Sequence, residues 1–183
     1  MKILAIVGSL RKDSFNRQLA QEAKAALAGK AELEILDYHD IPLLNQDIEH
    51  PAPEAVAKAR AAVTAADGIW FFTPEYNHFF PGVLKNVIDW LSRPQDGGKP
   101  QVLAGKPAAV SGITPGMSGT GLAQDHLVTL ISFLNMHVMN APRLTIPNCL
   151  GMVKDGKLEL GLSKKYLDTQ ASAFVEFINA EKK

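Results

Sequence analysis

The sequence of 183 residues has a single cysteine, no excess of charge of either sign and no long hydrophobic run. Because Cys149 stands alone, the chain can form no internal disulfide, no thiolate metal cluster and no CxxC redox pair, and it suits a reducing cytosol. Lys plus Arg and Asp plus Glu both number 19, so no net charge draws the chain toward nucleic acid or an anionic membrane. The same balance argues against a dedicated electron carrier with a strongly acidic docking surface.

No apolar run approaches the roughly 18 residues that a membrane helix needs. The N-terminal residues 1–10 are too few, and too soon interrupted by Gly8, to form a signal peptide. We therefore expect a cytoplasmic protein with neither a nucleic-acid nor a membrane partner. The length and the 46% of hydrophobic residues are those of one globular domain spanning residues 1–183.

Strand-like and helical patterns alternate along the chain. Continuous apolar runs at residues 2–7, 68–73 and 107–113 are typical of parallel strands buried on both faces. Residues 32–36 alternate as an edge strand does, and residues 137–146 hold a fifth strand with Pro142 at a bulge or strand end. Helical patterns cover residues 14–27, 54–66, 82–91, 122–134 and 164–180. These patterns predict an α/β protein: a doubly wound, five-stranded parallel sheet of order 2-1-3-4-5 with helices on both faces.

Three loops should converge in such a sheet. Its ligand binds at the carboxyl ends of the strands, at the switch point between the first and third strands. The segments that reach this edge are the first loop (residues 8–16), the second loop (residues 74–81) and the third loop (residues 114–121).

The first loop, GSLRKDSFN, has the features of a phosphate site. It leads into a helix N-terminus, whose free N–H groups favour an anion. Ser9 and Ser14 add hydroxyl donors, Arg11 adds a guanidinium fork, and Asn16 either donates an amide or braces the loop. A plainer interpretation makes Ser14 a helix cap and Arg11 an incidental surface residue; the placement after the first strand favours phosphate.

Three familiar phosphate-binding loops are excluded. The first loop matches neither the Walker GxxxxGK[ST] pattern nor the Rossmann GxGxxG pattern, and it lacks a cysteine nucleophile. We therefore predict a mononucleotide bound through hydroxyl and amide groups, without magnesium or any other metal.

The second loop, TPEYNHFFPG with its flanking residues, is suited to a flat ring. Pro74 and Tyr76 can form a rigid wall, and backbone N–H groups can stabilise a reduced, anionic heterocycle. In the alternative interpretation Tyr76, Phe79 and Phe80 pack in the core or at an interface, and His78 is a surface residue.

The segments GSLRKDSFN and TPEYNHFFPGVLKNVIDW together resemble the NADPH-dependent FMN reductase family, which includes quinone, azo-dye and chromate reductases. The resemblance implies a flavodoxin-like fold, FMN as cofactor and NADPH or NADH as hydride donor. It also implies ping-pong transfer to a small oxidised acceptor (a quinone, an azo compound, chromate or free flavin) and a homodimer or homotetramer.

The resemblance also assigns residues, and it leaves the chemistry to FMN rather than to a catalytic side chain. The residues implied to hold the phosphate are Ser9, Arg11, Ser14 and Asn16, with Phe15 beside them. Those implied to border the isoalloxazine ring are Pro74, Glu75, Tyr76 and Asn77, with Thr114 and Gly116 at its other edge. The implied substrate contacts are His78, Phe79 and Arg93.

The chain departs from the family pattern at four places. Phe79 replaces a serine, Gly119-Thr120 replaces a frequent glycine pair, and Leu122 and Val128 stand where some members carry arginine. Two other classes stay open: a flavodoxin-type electron carrier without its own NAD(P)H activity, and a receiver-like regulator. The regulator needs an acidic cluster after the first strand, where this chain has Gly8-Ser9.

Overall fold

A computed structural model describes residues 1–182; Lys183, the last residue of the predicted domain, lies outside the described residues. The strands are β1 (Lys2–Val7), β2 (Glu32–Ile35), β3 (Gly68–Phe72), β4 (Pro107–Ile113), β5 (His137–Val138), β6 (Leu144–Ile146), β7 (Val153–Lys154) and β8 (Lys157–Leu158). The helices are α1 (Phe15–Ala26), α2 (Glu54–Ala65), α3 (Gly82–Leu91), α4 (Gly121–Phe133) and α5 (Lys164–Glu181). The predicted boundaries agree with these to within one or two residues, except in the fifth strand.

The main sheet is parallel and has the predicted order, β2-β1-β3-β4-β5, which confirms the flavodoxin-like doubly wound fold. β1, β3 and β4 are buried along nearly their whole length, whereas β2 alternates between exposed and buried positions. This is the difference expected between central strands and an edge strand.

The two faces of the sheet form two cores. Alternate residues of β1 point to opposite sides because side chains alternate along a strand. Ile3 packs with residues of α1 and α5, and Leu4 packs with residues of α2, α3 and α4. The helices on both faces therefore fix the carboxyl ends of β1, β3 and β4 rigidly, with the three loops above them.

The fifth position of the sheet is split. β5 pairs with Pro107 and Ala108, and β6 pairs with residues 111–113, so the middle of β4 has no partner strand on that side. Gln170 of α5 fills the gap, because its Nε2 donates to Val110 O at 2.9 Å and to Pro142 O at 3.0 Å. The prediction of one interrupted strand was right about the interruption near Pro142, although two short strands replace it.

The remaining strands, β7 and β8, form a separate antiparallel hairpin. Gln18 of α1 holds it: its Nε2 donates to Gly156 O at 3.2 Å, and its Oε1 accepts from the Leu158 N–H at 2.8 Å. Among residues 1–182, no helix combines the length and the apolar character that crossing a membrane requires.

Candidate cofactor site

The three loops meet, as predicted, at a cleft of about 210 Å³ above the carboxyl ends of β1, β3 and β4. The lining residues are Ser9, Arg11, Ser14, Phe15, Asn16, Pro74, Glu75, Tyr76, Ile113, Thr114 and Pro115. The set contains every residue predicted to hold FMN except Asn77 and Gly116, which lie in the same loops but outside the lining. Sequence reasoning missed Ile113 and Pro115, although both are neighbours of Thr114.

The first loop offers a helix N-terminus and free polar groups. Ser14 is the N-cap of α1, and its hydroxyl accepts from the Arg17 N–H at 3.4 Å. Phe15 and Asn16 begin the helix, so their N–H groups have no intrahelical acceptor. Arg11 is exposed and, among residues 1–182, has no carboxylate within ion-pairing distance; its guanidinium lies 5.1 Å from the centre of the Phe15 ring. An anion can therefore take these donors without breaking an existing ion pair.

Asn16 braces the loop. Its Nδ2 donates to Ile113 O at 2.9 Å, and its Oδ1 accepts from the Ile113 N–H at 3.1 Å. The side chain is almost fully buried and joins the first turn of α1 to the last residue of β4, 97 positions away. Of the two roles that the sequence left open, the structure shows the brace, with one amide hydrogen left over.

A hydrogen bond from Tyr38 fixes the start of the first loop. The hydroxyl of Tyr38 donates to Val7 O, the last carbonyl of β1. Burial raises the pKa of Tyr38, so this hydroxyl stays protonated and keeps donating. The first loop therefore begins directly after a carbonyl, Val7 O, whose position is held by this hydrogen bond.

The tip of the second loop is a tight hairpin. Tyr76 and Phe79 exchange two backbone hydrogen bonds of 2.9 and 3.0 Å, with Asn77 and His78 between them at φ values of 53° and 62°. Two consecutive positive φ angles are the signature of a type I′ turn, which favours asparagine. The Tyr76 N–H is consequently satisfied within the hairpin, while Tyr76 itself is 55% exposed at the edge of the cleft.

Glu75 links the second loop to the third. Its carboxylate accepts from the Ser118 hydroxyl and from the Ala123 N–H, both at 3.1 Å. The third loop is also fixed to the end of β6 and to the residues after it, because the Thr114 N–H donates to Ile146 O and the Asn148 N–H donates to Gly116 O. Two walls of the cleft are thus joined to each other as well as to the sheet.

The residues predicted to touch substrate lie away from the cleft lining. His78 and Phe79 are exposed at the hairpin tip, and Phe79 stacks on His126 of α4 with ring centres 4.4 Å apart. Arg93 follows the far end of α3, a helix about 15 Å long, and binds Glu49 through Nε at 2.8 Å and Nη2 at 3.2 Å. These substrate contacts stay predictions, and Arg93 is not brought to the cleft of its own chain.

Similar proteins share most of the chain. A 2-hydroxy-1,4-benzoquinone reductase from Burkholderia is 35% identical over 97% of this chain and 96% of its own length. An NAD(P)H-dependent FMN reductase from Pseudomonas aeruginosa is 43% identical over 80% of this chain and 77% of its own. A quinone reductase from Escherichia coli is 36% identical over 100% of this chain and 97% of its own length.

Solved structures agree. FerB, a flavoenzyme NAD(P)H:(acceptor) oxidoreductase from Paracoccus denitrificans, superposes with a TM-score of 0.87 at 34% identity, covering 98% of both chains. Flavodoxin 1 from Bacillus cereus, with a TM-score of 0.63 and 17% identity over 96% of this chain and 98% of its own, shares the fold alone. Residues 1–151 match the model of the family described as NADPH-dependent FMN reductase. The chain therefore belongs to the NADPH-dependent FMN reductase family, and it is an oxidoreductase with FMN as its cofactor and NAD(P)H as its electron donor.

Proposed function

We propose that the cleft binds FMN with its phosphate at the first loop and its ring between the second and third loops. The observation that carries this proposal is the meeting, in one cleft, of a capped helix N-terminus, the Ser9 and Ser14 hydroxyls, and Arg11, which has no carboxylate partner among residues 1–182. A phosphate dianion satisfies these donors together, because charge-assisted bonds to helix N–H groups and to a guanidinium favour it.

The chain supplies binding and orientation, and FMN, when bound, would supply the hydride chemistry between NAD(P)H and a small acceptor. Pro74, Tyr76 and Thr114 line the cleft, where the first two would border the ring and Thr114 would lie at its opposite edge. Because one small cleft serves both donor and acceptor, the two occupy it in turn, which is a ping-pong cycle. Parallel lines in double-reciprocal plots at varied acceptor concentration are expected; intersecting lines would contradict the shared cleft.

Of the acceptors named by the family resemblance, a quinone suits the rim best. Each loop carries at least one exposed large apolar side chain: Leu10 (49%) in the first, Tyr76 (55%) and Phe79 (44%) in the second, and Met117 (77%) in the third. An apolar rim favours a flat, uncharged acceptor over chromate, and a relative of this chain is named as a benzoquinone reductase. Azo compounds and free flavin rank next.

A visible spectrum of the purified protein, before and after anaerobic addition of NADPH, tests the proposal. Flavin bands that bleach on addition are expected, followed by faster reoxidation with a small quinone than with chromate. Flavin bands that NADPH leaves unchanged would indicate the electron carrier instead. Colourless protein that does not take up added FMN would contradict the cofactor site.

We also propose that a second copy of the chain covers the outer side of the second loop. Phe79 and Leu122 are both nearly half exposed there, and Phe133 on the same helix as Leu122 is more exposed still. Patches of this kind mark interfaces. Leu122→Asp is expected to shift the protein toward monomer in light scattering coupled to size exclusion, with Leu162→Asp, an exposed residue before α5, as the control.

Phe79→Ser restores the residue that the family pattern has at this position. Because Phe79 is exposed at the hairpin tip and outside the cleft lining, we expect the ratio of kcat/KM values for quinone and azo acceptors to change more than the FMN affinity does. Identical acceptor profiles for the variant and the parent would show that Phe79 only packs.

A further inference from the structure

The carboxylate of Glu75 connects three parts of the site. Its Oε1 accepts from Ser118 Oγ and its Oε2 accepts from the Ala123 N–H. Ser118 belongs to the third loop, and Ala123 is the third residue of α4. The Glu75 side chain is only 6% exposed, whereas its partner Ser118 is exposed, so the bond from the Ala123 N–H is the better shielded from water of the two.

Helix α4 has no side-chain cap of its own. Thr120, its N-cap residue, makes no capping bond; its hydroxyl instead accepts from Gln124 Nε2 at 2.9 Å. Glu75 supplies the missing cap from another loop, because it accepts an N–H of the first turn and places negative charge at the positive end of the helix. The third loop is therefore held between β4 and a cap that belongs to the second loop.

The charge of Glu75 has no close cationic partner. Among residues 1–182, no lysine or arginine lies within ion-pairing distance of Glu75, and His78 Nδ1 lies 3.5 Å away on a side chain that is largely exposed. An exposed partner of this kind contributes little. A negative charge consequently lines the cleft, balanced mainly by the α4 dipole.

We infer that Glu75 is a positioning residue, which holds the second and third loops at one fixed spacing and sets the charge beside the cofactor. The inference rests on the proposed function, since it takes the FMN ring to lie between these loops. Both carboxylate oxygens are already engaged by donors of the protein, so Glu75 acts through the loops and not as a proton donor to substrate.

Three variants separate the effect of Glu75 on the spacing of the loops from the effect of its charge. Glu75→Gln keeps the shape, because its amide can accept from the Ala123 N–H and donate to Ser118 Oγ, but removes the charge. Glu75→Ala removes both bonds. Ser118→Ala removes only the bond between the two loops. Glu176→Gln, an exposed carboxylate on α5 without an ion pair among residues 1–182, controls for the loss of one charge elsewhere.

Three measurements apply to each variant: hydrogen exchange across residues 114–123 without cofactor, the FMN dissociation constant, and the midpoint potential of the bound FMN. Glu75→Ala should raise both the exchange rate and the dissociation constant about tenfold, the net contribution of an ordinary hydrogen bond. Glu75→Gln should retain the slow exchange yet raise the midpoint potential, because removing a negative charge favours the added electrons. Glu176→Gln should leave the potential unchanged.

Unchanged exchange and FMN affinity in Glu75→Ala would overturn the inference, as would a Glu75→Gln potential equal to that of the parent. If Glu75→Ala does not fold, Ser118→Ala tests whether Glu75 links the two loops. Faster exchange in residues 114–118 is then expected, and unchanged exchange would contradict the link. A parent protein that binds no FMN would overturn the proposed function instead. The exchange measurement without cofactor then still tests the link between the loops.

Discussion

The two ends of the sheet use their polar groups differently. At the amino end they bind one another: the Asp67 carboxylate accepts from the Lys2 N–H and from Lys182 Nζ, both at 2.7 Å, and Lys106 Nζ donates to two carbonyls at the end of α2. At the carboxyl end Arg11 has no carboxylate partner among residues 1–182, and the first N–H groups of α1 are open. The polar groups named at the amino end stabilise the fold. At the carboxyl end Asn16 and Glu75 also brace the loops, but the Arg11 guanidinium and the first N–H groups of α1 stay open for a ligand.

The two ends also differ in how tightly the backbone is packed, as two glycines show. A Cβ at Gly112, near the carboxyl end of β4, would lie 2.3 Å from Thr73 O and 2.1 Å from Thr120 Oγ1. A Cβ at Gly68, at the amino end of β3, would lie 2.6 Å from Ile178 Cδ1, the end of a flexible side chain. The backbone carbonyl beside Gly112 cannot move away from an added methyl group, whereas the end of the side chain beside Gly68 can.

The largest expected effect is therefore that of Gly112→Ala. We expect it to lower the free energy of unfolding by about 3 kcal/mol or more, the upper range for overpacking, and Gly68→Ala to lower it by about 1 kcal/mol. Urea denaturation of both cofactor-free variants measures the difference. Equal losses would mean that the two ends are packed alike.

Next in size is the loss of FMN affinity in Arg11→Ala. We expect binding to weaken by about 1–3 kcal/mol, the range for a charge-assisted contact, with almost no change in the stability of the cofactor-free protein. Ser14→Ala should weaken binding similarly but also lose about 1 kcal/mol of stability, because Ser14 caps α1. Lys12→Ala, in the same loop but outside the cleft lining, is the control for titration by fluorescence quenching.

Lys106→Met tests the amino end. Burial lowers the pKa of Lys106, and its ammonium group binds Ala66 O at 2.6 Å and Thr64 O at 3.0 Å, where α2 ends. Losing a cation at a helix C-terminus together with two hydrogen bonds should cost about 1–2 kcal/mol of stability. The FMN dissociation constant should stay the same; a change would show that the two ends are coupled.

The smallest expected effect is a pH dependence from Asp67. Lys182, and then the Lys2 N–H, hold the pKa of this carboxyl below its usual value of 3.8. A carboxyl with a depressed native pKa stabilises the fold above the unfolded value and loses that contribution as the pH falls through the native one. Asp67→Asn should therefore be less stable than the parent by under about 1 kcal/mol at pH 6, with the gap closing below pH 4.

Much of the fold could be predicted because its signals are local. The continuous apolar run of β4 and the pattern of α3 gave boundaries that agree with the structure. Hydrogen bonds between residues far apart in the sequence could not be predicted from such local patterns. Glu75 and Ala123 are 48 positions apart and Gln170 and Val110 are 60, so neither Glu75 as a cap nor Gln170 as a strand substitute has a signature in its neighbours.

The candidate site shows the same limit. Hydroxyls, an arginine and a helix start within nine residues indicated a phosphate loop, and the structure brings these residues to one cleft. The choice between donor and brace at Asn16 depended on Ile113, which only the folded sheet brings near. Arg93 was assigned by resemblance alone, and its actual partner, Glu49, is 44 positions away.

The side chain of Gln170 has a consequence for how the protein is made. The middle of β4 is completed by this one residue of the last helix, which also accepts from the Ser111 hydroxyl. Until Gln170 has left the ribosome, the Val110 carbonyl in the middle of β4 lacks its partner, although β5 and β6 pair on either side of it, and an unpaired buried carbonyl destabilises the fold. A chain truncated just before Gln170 should therefore be less stable and depend more on chaperones than a chain that includes the whole of α5.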